Sequence, residues 1–282
     1  MLFTSTTVFA QLPDNIGFEN GNFDGWECSL GTRDNKSGVI TINPPSGPSD
    51  RHTIIGAISY KNQLDPYGKF PMVCPNGSKY SVRLGDDAGI TGHVQRMAYT
   101  LTVPPTSTNY SIIFNYAVVL EDGGHARELQ PLFTAKVYDV TDNKEIDCPS
   151  FDFSASSTLP GFLPSALRKP PDNGMGPGGG PVFYKDWSTA TIDLKGYPGK
   201  IIRIEFTTLD CAPDRHFGYA YIDVDEANSS QPITGNAYCN GQSFVTLLGP
   251  TGFADYKWYK NNDFTTMIGA GQSLTISPAP AD

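Results

Sequence analysis

The chain has 282 residues, and its 29 acidic against 20 basic side chains give a formal net charge of −9. This balance argues against duplex nucleic acid or an anionic membrane as a partner, because both attract basic surfaces. The 29 glycines, 23 prolines and 12% aromatic residues, without a sustained 3.6-residue apolar period, exclude a helical architecture and predict short strands joined by tight turns.

The N-terminal segment MLFTSTTVFA precedes Gln11. Because Val8-Phe9-Ala10 fits the small-x-small pattern that signal peptidase cleaves, we interpret residues 1–10 as the remnant of a signal peptide. The alternative is an ordinary edge strand. No run reaches the roughly 18 apolar residues of a membrane span. We therefore predict a secreted protein that does not insert into a membrane.

Residues 11–228 show period-2 strand patterns separated by turn residues. The predicted strands are Tyr80–Leu84, Arg96–Val103, Tyr110–Leu120, Leu132–Val140, Ser188–Leu194, Lys200–Thr207 and Phe217–Val224. A long loop rich in proline and glycine, residues 159–181, separates the fourth of these strands from the fifth. Strands spaced in this way predict an all-β fold, a two-sheet jelly-roll β-sandwich.

A polar break after Val224 predicts a second unit over residues 229–282. Cys239, the Tyr-x-Trp-Tyr segment around Trp258 and the apolar strand Ser273–Ile276 resemble the first half of an immunoglobulin-like or PKD-like β-sandwich. The second half of such a sandwich does not follow. We therefore interpret this unit as incomplete and the chain as the N-terminal part of a larger multi-domain protein.

Five cysteines fit an exported protein, and none forms a C-x-x-C pair. By position we favour the disulfides Cys28–Cys74 and Cys148–Cys211, although four cysteines allow three pairings. Buried free thiols are the alternative. Cys239 is left without a partner in the chain.

Glu19 is a candidate calcium ligand. Its carboxylate stands in the irregular, glycine-rich segment Gly17–Trp26, and Ca²⁺ binds carboxylate, amide and carbonyl oxygens. Asp223, in the last predicted strand, is the natural second carboxylate, because the first and last strands of a jelly roll are expected side by side. Alternatively, Glu19 pairs with a lysine or caps a turn.

A second polar cluster consists of Glu121, Asp122 and His125, with His216 far downstream. Three interpretations stay open: hydrogen bonds that hold long loops together, a site for a transition metal or polar ligand with imidazole from both histidines, or glycoside hydrolysis by one of the carboxylates. Since the sequence contains no nucleophile-elbow or metalloprotease motif, we expect no enzymatic activity.

Aromatic side chains offer a further ligand surface. Phe217, Tyr219 and Tyr221 alternate on one face of a strand, a pattern that predicts core packing. Tyr184 and Trp187 lie beside the long loop. We expect these two to form an exposed platform on which a sugar ring stacks.

Two segments, F-E-x-G-x-x-x-G-W from Phe18 to Trp26 and G-Y-A-Y-I-D from Gly218 to Asp223, resemble calcium-stabilised jelly-roll carbohydrate-binding modules. The resemblance implies that Glu19 and Asp223 ligate a structural Ca²⁺ together with backbone carbonyls.

Further segments resemble the large secreted adhesins of Bacteroidetes, which are associated with type IX secretion, gliding and surface attachment. They are Arg83–Gly85, Val118–Asp122 with Gly124–His125, Tyr184–Trp187, and Asp210–Cys211 with His216–Asp223. The resemblance implies a non-catalytic cell-surface adhesin module that attaches to a glycan or surface ligand. Alternatives are a carbohydrate-binding module appended to a secreted hydrolase, and a structural tip or spacer that self-associates in a surface filament.

Overall fold

The computed structural model describes residues 14–106, 110–146, 150–157, 159, 161–169, 179–226, 243–248, 256–260, 263–271 and 273–278. Its strands are β1 (Trp26–Arg33), β2 (Ile40–Ile42), β3 (His52–Gly56), β4 (Tyr80–Leu84), β5 (His93–Thr102), β6 (Ser111–Glu121), β7 (Leu132–Asp139), β8 (Lys144–Glu145), β9 (Phe151–Ser154), β10 (Leu163–Pro164), β11 (Val182–Asp193), β12 (Ile201–Leu209), β13 (Gly218–Glu226), β14 (Val245–Leu248), β15 (Lys257–Lys260), β16 (Asp263–Ala270) and β17 (Ser273–Ile276). A single turn of 3-10 helix spans Arg127–Leu129. The predicted all-β class is confirmed.

Thirteen of these strands form two antiparallel sheets. The first sheet has the order β2-β1-β5-β12-β7-β8, with β9 also paired to β7, and the second has the order β10-β11-β6-β13-β4-β3. The predicted two-sheet jelly-roll β-sandwich is therefore confirmed. Among the described residues, no helix combines the length and the apolar character that a membrane span requires.

The main core lies between the two sheets and follows from strand periodicity. In β7, buried and half-buried positions alternate strictly, so that Phe133 and Val137 point inward. Phe206 of β12 packs against Phe114 of β6, with ring centroids 5.2 Å apart and an edge-to-face geometry. Such aromatic pairs bind the inner faces of the sheets together.

A second core covers the outer face of the second sheet. Residues 57–79, which connect β3 to β4 and are called the covering loop here, place Tyr67 and Phe70 against Tyr221 and Phe217. The stripe of alternating aromatics on β13 is thus core, as predicted. It also explains why β6 is buried on both faces.

The N-terminal loop, residues 14–25, leads into β1 and rests on β13. Phe18 turns its ring into the main core and stacks on Trp26 at 4.8 Å. Gly17 passes so close to β13 that a Cβ atom there would lie 2.7 Å from the carbonyl oxygen of Val224. Glycine is therefore required at this contact.

The first and last strands of the sandwich do not lie side by side, so that expectation is wrong. β1 pairs with β2 and β5 in the first sheet, whereas β13 pairs with β4 and β6 in the second. Glu19 is brought to β13 by the N-terminal loop instead.

The C-terminal strands form two separate antiparallel ladders, β14 with β17 and β15 with β16. Trp258 is buried, and its indole N–H donates to the carbonyl oxygen of Gly271 at 2.8 Å. The buried tryptophan agrees with the sequence pattern. The domain boundary near residue 228 falls outside the described residues, and the immunoglobulin-like or PKD-like assignment stays a prediction.

Candidate functional site

A cleft of about 520 Å³ opens beside the loop that joins β6 to β7. Its lining comes from that loop and from β9 with the residues that follow it: Asp122, Gly124, His125, Arg127, Gln130, Asp152, Ser154, Ala155, Ser156 and Leu159. Carboxylate, guanidinium and amide groups therefore converge on one concavity beside an apolar wall. This is the composition of sites that orient small polar ligands.

Asp122 is fixed at the cleft by the chain on either side of it. Its backbone N–H donates to the Pro181 carbonyl oxygen at 2.8 Å, and its carboxylate accepts the N–H of Gly124 at 2.8 Å and the side-chain amide of Gln130. Gln130 Oε1 in turn accepts the N–H of Gly123 at 3.0 Å. The carboxylate is therefore held in one orientation, as selective binding requires.

The rim of the cleft carries an ion pair between Arg127 and Asp152, whose side chains are 71% and 40% exposed. A pair this exposed adds little to stability, so both groups are available to a ligand. Below the rim, the buried guanidinium of Arg33 donates to the carbonyl oxygens of Gln130 and Glu128. Arg33 thereby fixes the 3-10 turn that carries Arg127.

Glu121, the last residue of β6, is only 1% exposed. Its Oε2 accepts the N–H of Phe217 at 3.3 Å, and burial raises the pKa of its carboxyl group. This environment favours the interpretation that Glu121 holds the loops together. The expectation that the chain has no enzymatic activity stays a prediction.

His125 and His216 meet beside the cleft, as the sequence predicted, with ring centroids 5.5 Å apart. Cys211 joins them, because one ligating atom of each of the three side chains lies within 4.8 Å of the other two. A hydrogen bond of 2.8 Å from the Cys211 N–H to the His216 carbonyl oxygen folds this loop back on itself. Burial lowers the pKa of the His216 imidazole.

An acidic cluster forms where the N-terminal loop meets β13. The amide nitrogen of Asn76 donates to Asp223 Oδ2 and Asp225 Oδ2, both at 2.6 Å. Glu19 Oε1 accepts the N–H of Lys79 at 3.0 Å. The pKa of Asp225 is raised, chiefly by burial, and repulsion from Glu19 adds to that shift.

Asp223 is the most deeply buried member of the acidic cluster. It has no exposed surface, and its Oδ1 makes no hydrogen bond of normal geometry with any described residue. Burial, with repulsion from Asp225, raises the pKa of its carboxyl group to about 7, although donors on Ser78, Asn76 and Cys74 oppose the shift. A buried oxygen without a well-aligned hydrogen bond is a candidate ligand for a cation.

The predicted Cys28–Cys74 disulfide is wrong. Cys28 points from β1 into the main core, whereas Cys74 lies in the covering loop beside β4, and both are buried free thiols. Burial raises the pKa of the Cys28 thiol to about 12. Cys211 is likewise a free thiol in the described part of the chain. Its predicted partner Cys148, and Cys239, lie outside that part.

Tyr184 and Trp187 are half-buried and pack on the covering loop. The Trp187 indole N–H donates to the Pro71 carbonyl oxygen at 2.7 Å, and the Tyr184 ring lies 6.3 Å from that of Phe70. The two rings therefore support the second core and do not form a free-standing platform. Their role in ligand binding stays a prediction.

Sequence reasoning missed several residues of these sites. Asp225 could have been found, because it lies two residues after Asp223 and side chains two apart share one face of a strand. Asn76, Arg127 and Asp152 carried no such signal, since only the packing of the loops brings them to the sites.

No family model and no curated protein matches the chain. Among solved structures, it is similar to a family 61 carbohydrate-binding module in complex with β-1,4-galactotriose, with 15% identity over 76% of this chain and 96% of that one, at a TM-score of 0.37. A family 28 carbohydrate-binding module specific for non-crystalline cellulose shows 15% identity over 78% of this chain and 95% of that one, at a TM-score of 0.33. A cleaved adhesin domain of Lys-gingipain from Porphyromonas gingivalis shows 14% identity over 64% of this chain and 92% of that one, at a TM-score of 0.26.

Proposed function

We propose that this chain is a non-catalytic, secreted module that attaches to a glycan or surface ligand through the cleft beside the β6–β7 loop. The observation that carries the proposal is the fixed Asp122 carboxylate facing the same concavity as the Arg127–Asp152 pair. Sugar hydroxyls both donate and accept hydrogen bonds. A carboxylate accepts them and a guanidinium donates them, so the lining can satisfy both roles.

The hydrogen bonds of the carboxylates in the cleft support a binding role. Asp122 accepts two donors, Gly124 and Gln130, and Asp152 accepts Arg127. Both carboxylates are therefore held in place as hydrogen-bond acceptors for a ligand. Glu121, the neighbouring carboxyl group, is buried.

A glycan array identifies a ligand, and calorimetry with that glycan then tests the cleft. Asp122→Asn removes one charge-assisted acceptor, which is worth about 1.5–3 kcal/mol, and should weaken binding by roughly 10- to 100-fold.

Asp193→Asn is the matched control. Asp193 ends β11, outside the cleft lining, and accepts the N–H of the residue two positions later just as Asp122 does. Equal weakening in both variants, or full affinity in Asp122→Asn, would exclude the cleft. If the array shows no ligand and sedimentation shows concentration-dependent association, the filament alternative is favoured.

We also propose that a structural Ca²⁺ joins Glu19, Asp223 and Asp225. Three carboxylates gather here, and one of their buried oxygens, Asp223 Oδ1, lacks a hydrogen bond of normal geometry. Ca²⁺ takes six to eight oxygen ligands. The ion would link the N-terminal loop, which carries Glu19, to β13. Thermal unfolding with and without a chelator tests this site.

A further inference from the structure

His125, Cys211 and His216 supply nitrogen and sulfur ligands from two different loops. Their ligating atoms lie within 4.8 Å of one another, and this is the one group of three or more such ligands that is so compact in the described part of the chain. The calcium site uses oxygen ligands and shares no residue with this group. The glycan cleft shares only His125.

The two imidazoles present unused nitrogen atoms. His125 Nε2 and His216 Nδ1 are shielded from solvent and make no hydrogen bond to any described residue. Cys211 has no exposed surface and is a free thiol. A buried polar atom without a partner costs about 1–3 kcal/mol, so two of them beside a thiol indicate a group that all three bind.

The two histidine rings pack closely against Gly123. A Cβ atom at this position would lie 2.4 Å from His216 Nδ1 and 2.8 Å from Cδ2 of His125. Glycine is therefore needed where the two rings converge. Hydrogen bonds from the Gly123 N–H to Gln130 and from the Gly92 N–H to the Cys211 carbonyl oxygen hold the two loops in place.

We propose that His125, Cys211 and His216 bind a Zn²⁺ ion, with its fourth coordination position open towards the cleft. Zinc accepts nitrogen at about 2.0–2.1 Å and sulfur at about 2.3 Å, which sets the ligand atoms of a tetrahedral site roughly 3.3–3.6 Å apart. Because the ligand atoms now lie within 4.8 Å of one another, they would have to approach by at most roughly 1.5 Å, which side-chain rotation can supply. Imidazole and thiolate select such an ion over Ca²⁺ or Mg²⁺.

Charged side chains of both signs lie near the site. The negative charges of Asp122 and Asp214 and the positive charge of Lys169 all lie close enough to interact with the His216 imidazole. Burial raises the pKa of the Cys211 thiol to about 11, and the nearby Arg33 guanidinium opposes that shift. Binding would form the zinc–sulfur bond and release the thiol proton to solvent, leaving one excess positive charge on the site.

Cobalt is a spectroscopic probe of this geometry. Titration of the reduced 282-residue chain with Co²⁺ should give a thiolate-to-cobalt charge-transfer band that saturates at one equivalent and disappears when Zn²⁺ is added. Cys211→Ser should abolish the band, and His125→Gln should weaken cobalt binding at least about tenfold. His125 is half-buried, so this variant keeps the test informative even if Cys211→Ser fails to fold.

One control variant and one further test variant complete the experiment. Cys28→Ala alters another buried free thiol, in the main core, and should keep the band. Gly123→Ala fills the space between the rings and should weaken binding with the β-sheet circular dichroism unchanged. The proposal is overturned if the reduced chain shows no band, if Cys211→Ser retains it, or if peptide mass spectrometry of the exported protein finds Cys211 in a disulfide. None of these measurements involves a glycan, so the two proposals fail separately.

Discussion

Removal of calcium should destabilise the sandwich through Asp223. Its carboxyl group has a pKa of about 7 in the fold against an ordinary value of 3.8, a difference of roughly 3 units or about 4 kcal/mol. Because the folded value is the higher one, ionisation of Asp223 without a cation costs stability as the pH rises above about 4. A bound ion offsets this cost.

The expected size of the effect follows from mass action. Calcium at 100 times its Kd stabilises the folded state by about 2.7 kcal/mol. For a domain of about 200 residues, each kcal/mol shifts the Tm by roughly 2–4 °C. Addition of EDTA at pH 7 should therefore lower the Tm by roughly 5–11 °C, as followed by differential scanning calorimetry.

Asp223→Asn separates the ion from other effects of the chelator. The variant should lose the response to EDTA, and without calcium it should melt above the wild type because the buried charge is gone. Asp210→Asn is the control, since Asp210 is equally buried and its pKa is also about 7. Unlike Asp223, Asp210 accepts hydrogen bonds at both carboxylate oxygens, from Arg51, Ile90 and Gly218. A Tm that EDTA leaves unchanged, or a full response in Asp223→Asn, would refute the reasoning.

Two further predictions concern buried carboxyl groups. Burial raises the pKa of Glu121 above 4.5, so its ionisation costs stability as the pH rises through that value. Denaturant unfolding of Glu121→Gln should therefore show a stability relative to wild type that grows from pH 4 to pH 6, whereas a constant difference would contradict the shift. Asp65 accepts the hydroxyls of Tyr219 at 2.7 Å and Tyr221 at 3.2 Å. Asp65→Ala should lower the free energy of unfolding by about 2–5 kcal/mol and speed protease cleavage of the covering loop, and unchanged cleavage would count against this anchoring role.

The central strands were predictable because their patterns are long and regular. β4 was predicted with its observed bounds, and Tyr110–Leu120 differs from β6 by one residue at each end. β1 was missed, since its burial pattern does not alternate cleanly and Gly31 interrupts it. β16 was missed as well, because its sequence, Asp-Phe-Thr-Thr-Met-Ile-Gly-Ala, does not alternate between apolar and polar residues.

The candidate sites depend on contacts that the sequence patterns did not predict. Glu19 was assigned to the neighbourhood of Asp223, but on a strand pairing that does not exist, because the N-terminal loop and not β1 reaches β13. Position along the chain paired Cys28 with Cys74, although the sheets separate them. Cys211 was assigned to a disulfide, since only the folded loop shows it beside two imidazoles.

The covering loop is fastened to β13 at two points of different chemistry. Asp65 ties its middle to two tyrosine hydroxyls, and Asn76, near its end, bridges Asp223 and Asp225. An ion at those carboxylates would therefore stabilise the covering loop in its docked position. Loss of the ion would favour local opening of the loop, which exposes the two tyrosines beneath the loop to solvent. The concentration of free calcium would then set how firmly the covering loop is held on the second core.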